Sequence, residues 1–222
     1  MVRLFREYIL KRILFVVLAC ISFLAHAEDA ASTLAMQGNK QGATACLACH
    51  GADGGGTAAA GFPRLAGLDE AYIARQLQDF RSGKRNNPLM QPIAKGLSVK
   101  EIQLIAAYYA ALPVPALTPG GGDPALLRKG ETIATQGDWN HGIPACFQCH
   151  GPDGKGIESS FPAITGQSAA YIASQIAAWK AGTRANDPVG LMKSVANKLS
   201  AEQVRAVSAF LADQPLANGN KK

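Results

Sequence analysis

The chain has 222 residues, 48% hydrophobic and 17% charged, a balance that fits one or two globular domains and excludes a disordered chain. Twenty-two Lys and Arg against 16 Asp and Glu give a formal charge of +6, yet aromatics are only 7%, too few to build a stacking platform for single-stranded nucleic acid. Five cysteines are an odd count, which excludes a simple all-disulfide framework.

Residues 1–27 predict a cleavable export signal. Arg3, Arg6, Lys11 and Arg12 form a basic start, Ile13 to Leu24 an uncharged, mostly apolar run, and Ala25-His26-Ala27 an A-x-A site. The apolar run falls short of the roughly 20 residues a spanning helix needs. A lipid-bearing Cys20 after Leu18-Ala19 is a second reading. It ranks below cleavage after Ala27, because apolar residues continue past Cys20 up to the A-x-A site. Cleavage predicts export to an oxidising compartment. It also removes four basic residues, Glu7 and Cys20, which lowers the charge to +3 and leaves four cysteines in two identical pairs.

The remaining chain predicts helices and no convincing strand. Glu70 to Phe80 carries apolar residues at spacings of three and four. Ser98-x-x-Glu101 is a capping box that opens a helix with Ile102, Ile105, Tyr109 and Leu112 on one face. A segment rich in Pro and Gly follows, a linker over 113–122. Asp123-Pro124 then reads as an N-cap with Pro in the first turn of a helix reaching Thr135. Ala169 to Lys180 repeats the spacing of 70–80, and Ser200-x-x-Gln203 opens a last helix with Val204, Val207 and Leu211. The predicted fold is all-α, with an N-terminal domain over 28–112 and a C-terminal one over 123–222.

The two halves repeat each other. Cys46-Leu47-Ala48-Cys49-His50-Gly51 matches Cys146-Phe147-Gln148-Cys149-His150-Gly151, and Phe62-Pro63 matches Phe161-Pro162. Tyr72-Ile73-Ala74-x-Gln76 matches Tyr171-Ile172-Ala173-x-Gln175, Gly83-x-Arg85 matches Gly182-x-Arg184, and Met90 matches Met192. A period near one hundred residues, seen twice, means two copies of one domain rather than a solenoid.

The chemistry lies in the C-x-x-C-H motifs. C-x-x-C alone serves a redox dithiol, half a zinc site or haem attachment, and the following His selects among them. Residues three apart on a helical turn share a face, so Cys46 and Cys49 can reach both vinyl groups of one haem and carry His50 to its iron. Cys146, Cys149 and His150 do the same. A dithiol reading lacks its βαβ context, and a Cys2His2 zinc site lacks a second His in the first copy. His141, with no counterpart there, reads as a loop residue. Of the methionines after the signal, Met36 reads as core filler. Met90 and Met192 are repeat-matched in Pro-containing loops and supply candidate sixth ligands. A thioether favours Fe(II) and raises the potential relative to bis-His ligation. Pro63 and Pro162 are candidates to offer a backbone carbonyl to the other nitrogen of each ligating His, with plain loop punctuation as the competing reading.

In this combination of motifs, and in Gly142-Ile143-Pro144-Ala145 before the second pair, residues 33–213 resemble the dihaem cytochrome c4 family, two tandem class I cytochrome c domains. The resemblance implies covalent haem c at Cys46/Cys49 and Cys146/Cys149. It also implies His50/Met90 and His150/Met192 axial pairs, and the carbonyl role for Pro63 and Pro162. It further implies a periplasmic carrier that passes electrons to a terminal oxidase. Leu68 departs from the repeat, since the second copy has Gln167, which argues against equal haem environments. Two function classes stay open: an electron carrier without bond chemistry, either free or as the cytochrome subunit of a periplasmic dehydrogenase, and a dihaem oxidoreductase. The expected partners are redox proteins, a respiratory donor complex and oxidase or a dehydrogenase, and not nucleic acid. Peripheral membrane association and oligomeric state stay open. With near-balanced halves, +1 over 28–112 and +2 over 123–222, and four propionates on two haems, the loaded chain is expected close to neutral.

Overall fold

The computed structural model describes residues 29–116, 121–187 and 189–214. The export signal, its Ala27 cleavage site, Cys20 and part of the 113–122 linker lie outside them. No helix among the described residues is long and apolar enough to cross a membrane.

Among the described residues, ten α-helices form two similar sets. In the first half, α1 covers 29–37, α2 Leu47–His50, α3 Glu70–Ser82, α4 Met90–Lys95 and α5 Val99–Ala111. In the second, α6 covers Pro124–Thr135, α7 Cys146–His150, α8 Ala169–Lys180, α9 Leu191–Lys198 and α10 Ala201–Asp213. β pairing among the described residues is confined to isolated bridges, as the lack of alternating segments predicts.

The helix starts follow local chemistry. Asp69 and Ser168 accept from the backbone N–H of Tyr72 and Tyr171, and Asp123 caps α6 with Pro124 just inside it. Both capping boxes, Ser98/Glu101 and Ser200/Gln203, are complete. Two differences from the sequence reading concern the methionines and Met36. Met90 and Met192 stand in the first turns of α4 and α9 rather than in loops. Pro92 is compatible with α4 because the first N–H groups of a helix have no intrahelical acceptor to lose. Met36 is not core filler: it is 48% exposed.

Each half has its own core. Leu34, Ile73, Leu77, Phe80, Ile102, Ile105 and Tyr109 are buried together in the first, and Ile133, Ile143, Ile176, Trp179, Val207, Phe210 and Leu211 in the second. α6 and α10 cross so closely at Gly130 that an added Cβ would lie 2.6 Å from Phe210 Cβ and 2.7 Å from the Ala206 carbonyl carbon. The start of the linker is not loose, for Val114 packs over Gly67 and Pro115 over Gly55.

The halves meet along a seam of approximate twofold symmetry. Asn86 N–H donates to Thr183 O (2.7 Å) and Ala185 N–H to Lys84 O (2.8 Å), so residues matched in the repeat exchange partners around an Arg85–Arg184 bridge.

Candidate haem-binding sites

The two motifs open onto one continuous cavity of about 1070 Å³, whose walls include both halves. An ordinary single-ligand pocket spans roughly 300–1,000 Å³, so this space is at the large end of ligand cavities and is shared by the two motifs. Cys46, Cys49, His50, Pro63 and Met90 line it in the first half, and Cys146, Cys149, His150, Pro162 and Met192 in the second. All ten residues singled out in the sequence therefore face the same space. His141 does not line it; exposed, it pairs with Asp138 at 2.7 Å.

Each His is fixed by one hydrogen bond. His50 Nδ1 lies 2.8 Å from Pro63 O and His150 Nδ1 lies 2.7 Å from Pro162 O. A carbonyl only accepts, so Nδ1 carries the proton and the Nε2 lone pair is free for a metal. Burial pushes both imidazoles below their usual pKa, the proline carbonyls opposing it, which keeps them neutral and competent to ligate. The accepting peptides rest on repeat-matched glycines. A Cβ on Gly56 would lie 2.7 Å from Arg64 N, and one on Gly156 would lie 2.6 Å from Ala163 N. The matched glycines in Asp53-Gly-Gly-Gly56 and Asp153-Gly-Lys-Gly156 were the available signal for this role, and the sequence reading missed it.

The thiols do not suit dithiol chemistry. A redox C-x-x-C needs a depressed thiol pKa, whereas burial raises Cys46 and pushes Cys146 up to about 11. Apolar walls, paired cysteines and a preoriented imidazole in each half fit haem c.

The seam supplies the polar end of the cavity. Arg85 donates to Tyr171 Oη (2.8 Å), Gln76 Oε1 (3.0 Å) and Gln175 Oε1 (2.6 Å). Arg184 mirrors it with Tyr72 Oη (3.4 Å), Gln175 Oε1 (2.9 Å) and Gln76 Oε1 (3.1 Å). Each guanidinium lies over an aromatic ring of its own half, Phe80 at 4.4 Å and Trp179 at 4.0 Å. Both arginines are buried; Asp79, bound to Asn186 at 2.8 Å, is the buried carboxylate beside them. Burial first, and the Arg85 charge second, hold Arg184 below the usual arginine range. Two buried cations against one carboxylate leave a positive excess, the complement of haem propionates. Trp179 lines the cavity with its indole N–H buried and unpartnered, a donor suited to the same anionic groups. The sequence contained the Gly-x-Arg match, but no local spacing reveals that its two arginines meet.

A cytochrome c family model matches residues 35–112 and 127–215. The chain belongs to the cytochrome c family. This cytochrome c is 46% identical over 193 residues to the thiosulfate dehydrogenase electron acceptor of Stutzerimonas stutzeri (strain A1501), covering 87% of this chain and 89% of the relative. It is 51% identical over 178 residues to the protein of that description from Thiomonas intermedia (strain K12), covering 79% and 81%. Cytochrome c4 of Thiocapsa roseopersicina is 41% identical over 168 residues, covering 75% and 85%. Among solved structures, thiosulfate dehydrogenase from Marichromatium purpuratum superposes with a TM-score of 0.78 at 42% identity, covering 85% of this chain but only 40% of that one. Reduced cytochrome c4 from Pseudomonas stutzeri superposes with a TM-score of 0.69 at 36% identity, covering 76% and 92%. Two tandem domains, each with its C-x-x-C-H motif, make this an all-α dihaem cytochrome of the c4 family, an electron carrier with two covalently bound haem c groups.

Proposed function

We propose that this cytochrome is exported to the periplasm, accepts electrons singly from a thiosulfate-oxidising dehydrogenase and delivers them to a respiratory acceptor such as a terminal oxidase. In each half one carbonyl-fixed His and one Met line a single apolar cavity, and that observation carries the carrier reading. A haem ligated on both faces has no position for a substrate. Likeness to two thiosulfate dehydrogenase electron acceptors over about four fifths of the chain or more supports the donor. The cytochrome c4 relatives support the onward acceptor.

Cys46 and Cys49 would hold haem 1 by thioethers, with His50 and Met90 as the residues that would bind its iron. Cys146, Cys149, His150 and Met192 would do the same for haem 2. Pro63 and Pro162 keep each Nε2 lone pair free for the metal, and Arg85, Arg184 and Trp179 would neutralise or bond the propionates. Each haem, when bound, supplies one Fe(III)/Fe(II) couple. The protein excludes water from it and sets its potential through the thioether and the hydrogen-bonded imidazole.

The test is stopped-flow mixing of the oxidised holoprotein with a thiosulfate dehydrogenase and thiosulfate. Rapid reduction of both haems is expected; reduction by quinol-oxidising complexes alone would refute the donor. Optical spectra test the ligands. Met90→Ala and Met192→Ala should each remove half of the far-red Met–Fe(III) band, and an unchanged band would refute that assignment.

A further inference from the structure

The repeat departs from symmetry at one buried polar side chain that touches the peptide holding a ligand. Gln167 is 5% exposed and its counterpart is Leu68. Gln167 Oε1 accepts from Arg64 N–H at 3.0 Å, and its Nε2 donates to Arg64 O at 2.9 Å. Arg64 N–H and Pro63 C=O belong to one peptide group. A chain of hydrogen bonds therefore runs from His50 Nδ1–H to Pro63 O, through the amide, and from Arg64 N–H to Gln167 Oε1. The Arg64 guanidinium ties the same segment to the second half through the carbonyls of Gly166 and Thr165 (both 3.4 Å).

The second half keeps the imidazole–carbonyl bond and the glycine beneath the peptide, but has Ala163 in place of Arg64 and Leu68 to face it in place of a Gln. His150 bonds Pro162 O, and Gly156 lies beneath the Pro162–Ala163 peptide. Ala163 packs against the first core, which contains Leu68, and Leu68 has no acceptor to offer its N–H.

We infer that Gln167, a residue of the second domain, is a positioning residue that tunes haem 1 of the first domain. An acceptor on an amide N–H polarises the amide and makes its oxygen a stronger acceptor, since hydrogen bonds in series reinforce one another. A stronger acceptor at Nδ1 gives His50 more imidazolate character and makes it a better donor to iron. Fe(III) gains more from that than Fe(II), so Gln167 lowers the potential of haem 1 and leaves haem 2 unaffected. The inference rests on His50 and His150 being the axial histidines of the proposed function.

The test is a spectroelectrochemical titration of the holoprotein, with Met90→His used to identify the haem 1 wave. Gln167→Leu, which installs the first half's residue, should shift the haem 1/haem 2 reduction equilibrium about threefold to tenfold toward reduced haem 1, tenfold being about 59 mV for one electron. Arg64 amide hydrogen exchange should accelerate with it. Leu68→Gln should move haem 2 the opposite way and leave haem 1 in place. The inference is overturned when both waves move together in Gln167→Leu, as general loosening would produce, or when neither wave responds in the variants that load both haems. Should either variant fail to fold, the other decides. Failure of the ligation reading is separate: it appears in the wild type as absent His–Met spectra before any variant is compared.

Discussion

The arginine pair at the seam makes a prediction whose sign depends on what the cavity holds. Arg85 Nη2 and Arg184 Nη1 lie 2.6 and 2.9 Å from the same oxygen, Gln175 Oε1, so the two nitrogens are at most 5.5 Å apart. At an effective dielectric constant near 20, unit charges at that separation repel by about 3 kcal/mol. Without further anions, Arg85→Gln would relieve that repulsion and offset most of the bonds it loses to Tyr171, Gln76 and Gln175. With propionates present the pair is part of a balanced buried network, and removing one partner costs about 3–5 kcal/mol. We expect the destabilising outcome. The assay is thermal or denaturant unfolding of the holoprotein followed at the haem band, paired with a redox titration. Loss of a nearby positive charge should also lower the haem potentials by favouring Fe(III). A variant at least as stable as the wild type would refute the view that the arginines face propionates.

Three further outcomes are expected. Gly130→Ala should destabilise the second domain by about 1–3 kcal/mol in denaturant unfolding, because the intruding Cβ meets Ala206 and Phe210 and overpacking outweighs the roughly 1 kcal/mol gain in helix propensity; a stabilised variant would show that α6 and α10 do not cross this closely. Trp179→Phe, which copies Phe80 of the first half, should cost about 1–3 kcal/mol in holoprotein stability if the indole N–H bonds a propionate, and no cost would mean that the N–H is idle. Hydrogen bonds from Ser98 and Asn39 hold Glu101 below its ordinary 4.5. Its contribution is therefore complete above that value and lost as the pH falls through the lowered one. The uncharged Gln203 cap does not titrate, so wild type should lose more stability on acidification than Glu101→Gln. Parallel acid curves for the two would contradict this.

What could be read from the sequence was whatever is carried by short spacings. The C-x-x-C-H turns, the capping boxes and the proline carbonyls twelve or thirteen residues past each His are all set within one stretch of chain. The methionines read as loop residues because Pro88 and Pro188 stand just before them in sequence, whereas α4 and α9 begin only at Met90 and Leu191 and take both methionines into their first turns. Met36 was misplaced because its residue type, not its helix face, decided the reading. The seam was out of reach, since Arg64 and Gln167 are 103 residues apart and no spacing rule relates them. The repeat still supplied a pointer: Leu68 against Gln167 was visible as a broken match, without its physical meaning.

That break belongs to a pattern. The ligands, the proline carbonyls, the supporting glycines and the Arg85/Arg184 pair are matched between halves, whereas Gln167 stands where the first half has Leu68, Trp179 where it has Phe80, and Ala178 where it has Asp79. All three differences lie at the seam or on the cavity wall next to it, and each changes a hydrogen bond or a charge near the polar end of the site. Two identical halves would give two equal couples and no preferred order of reduction. Changing the ligands to separate them would risk haem attachment itself. Changing residues that touch the holding peptide or the arginine cluster leaves the shared machinery intact, and at Gln167 the residue that differs belongs to one domain while the ligand-holding peptide it bonds belongs to the other.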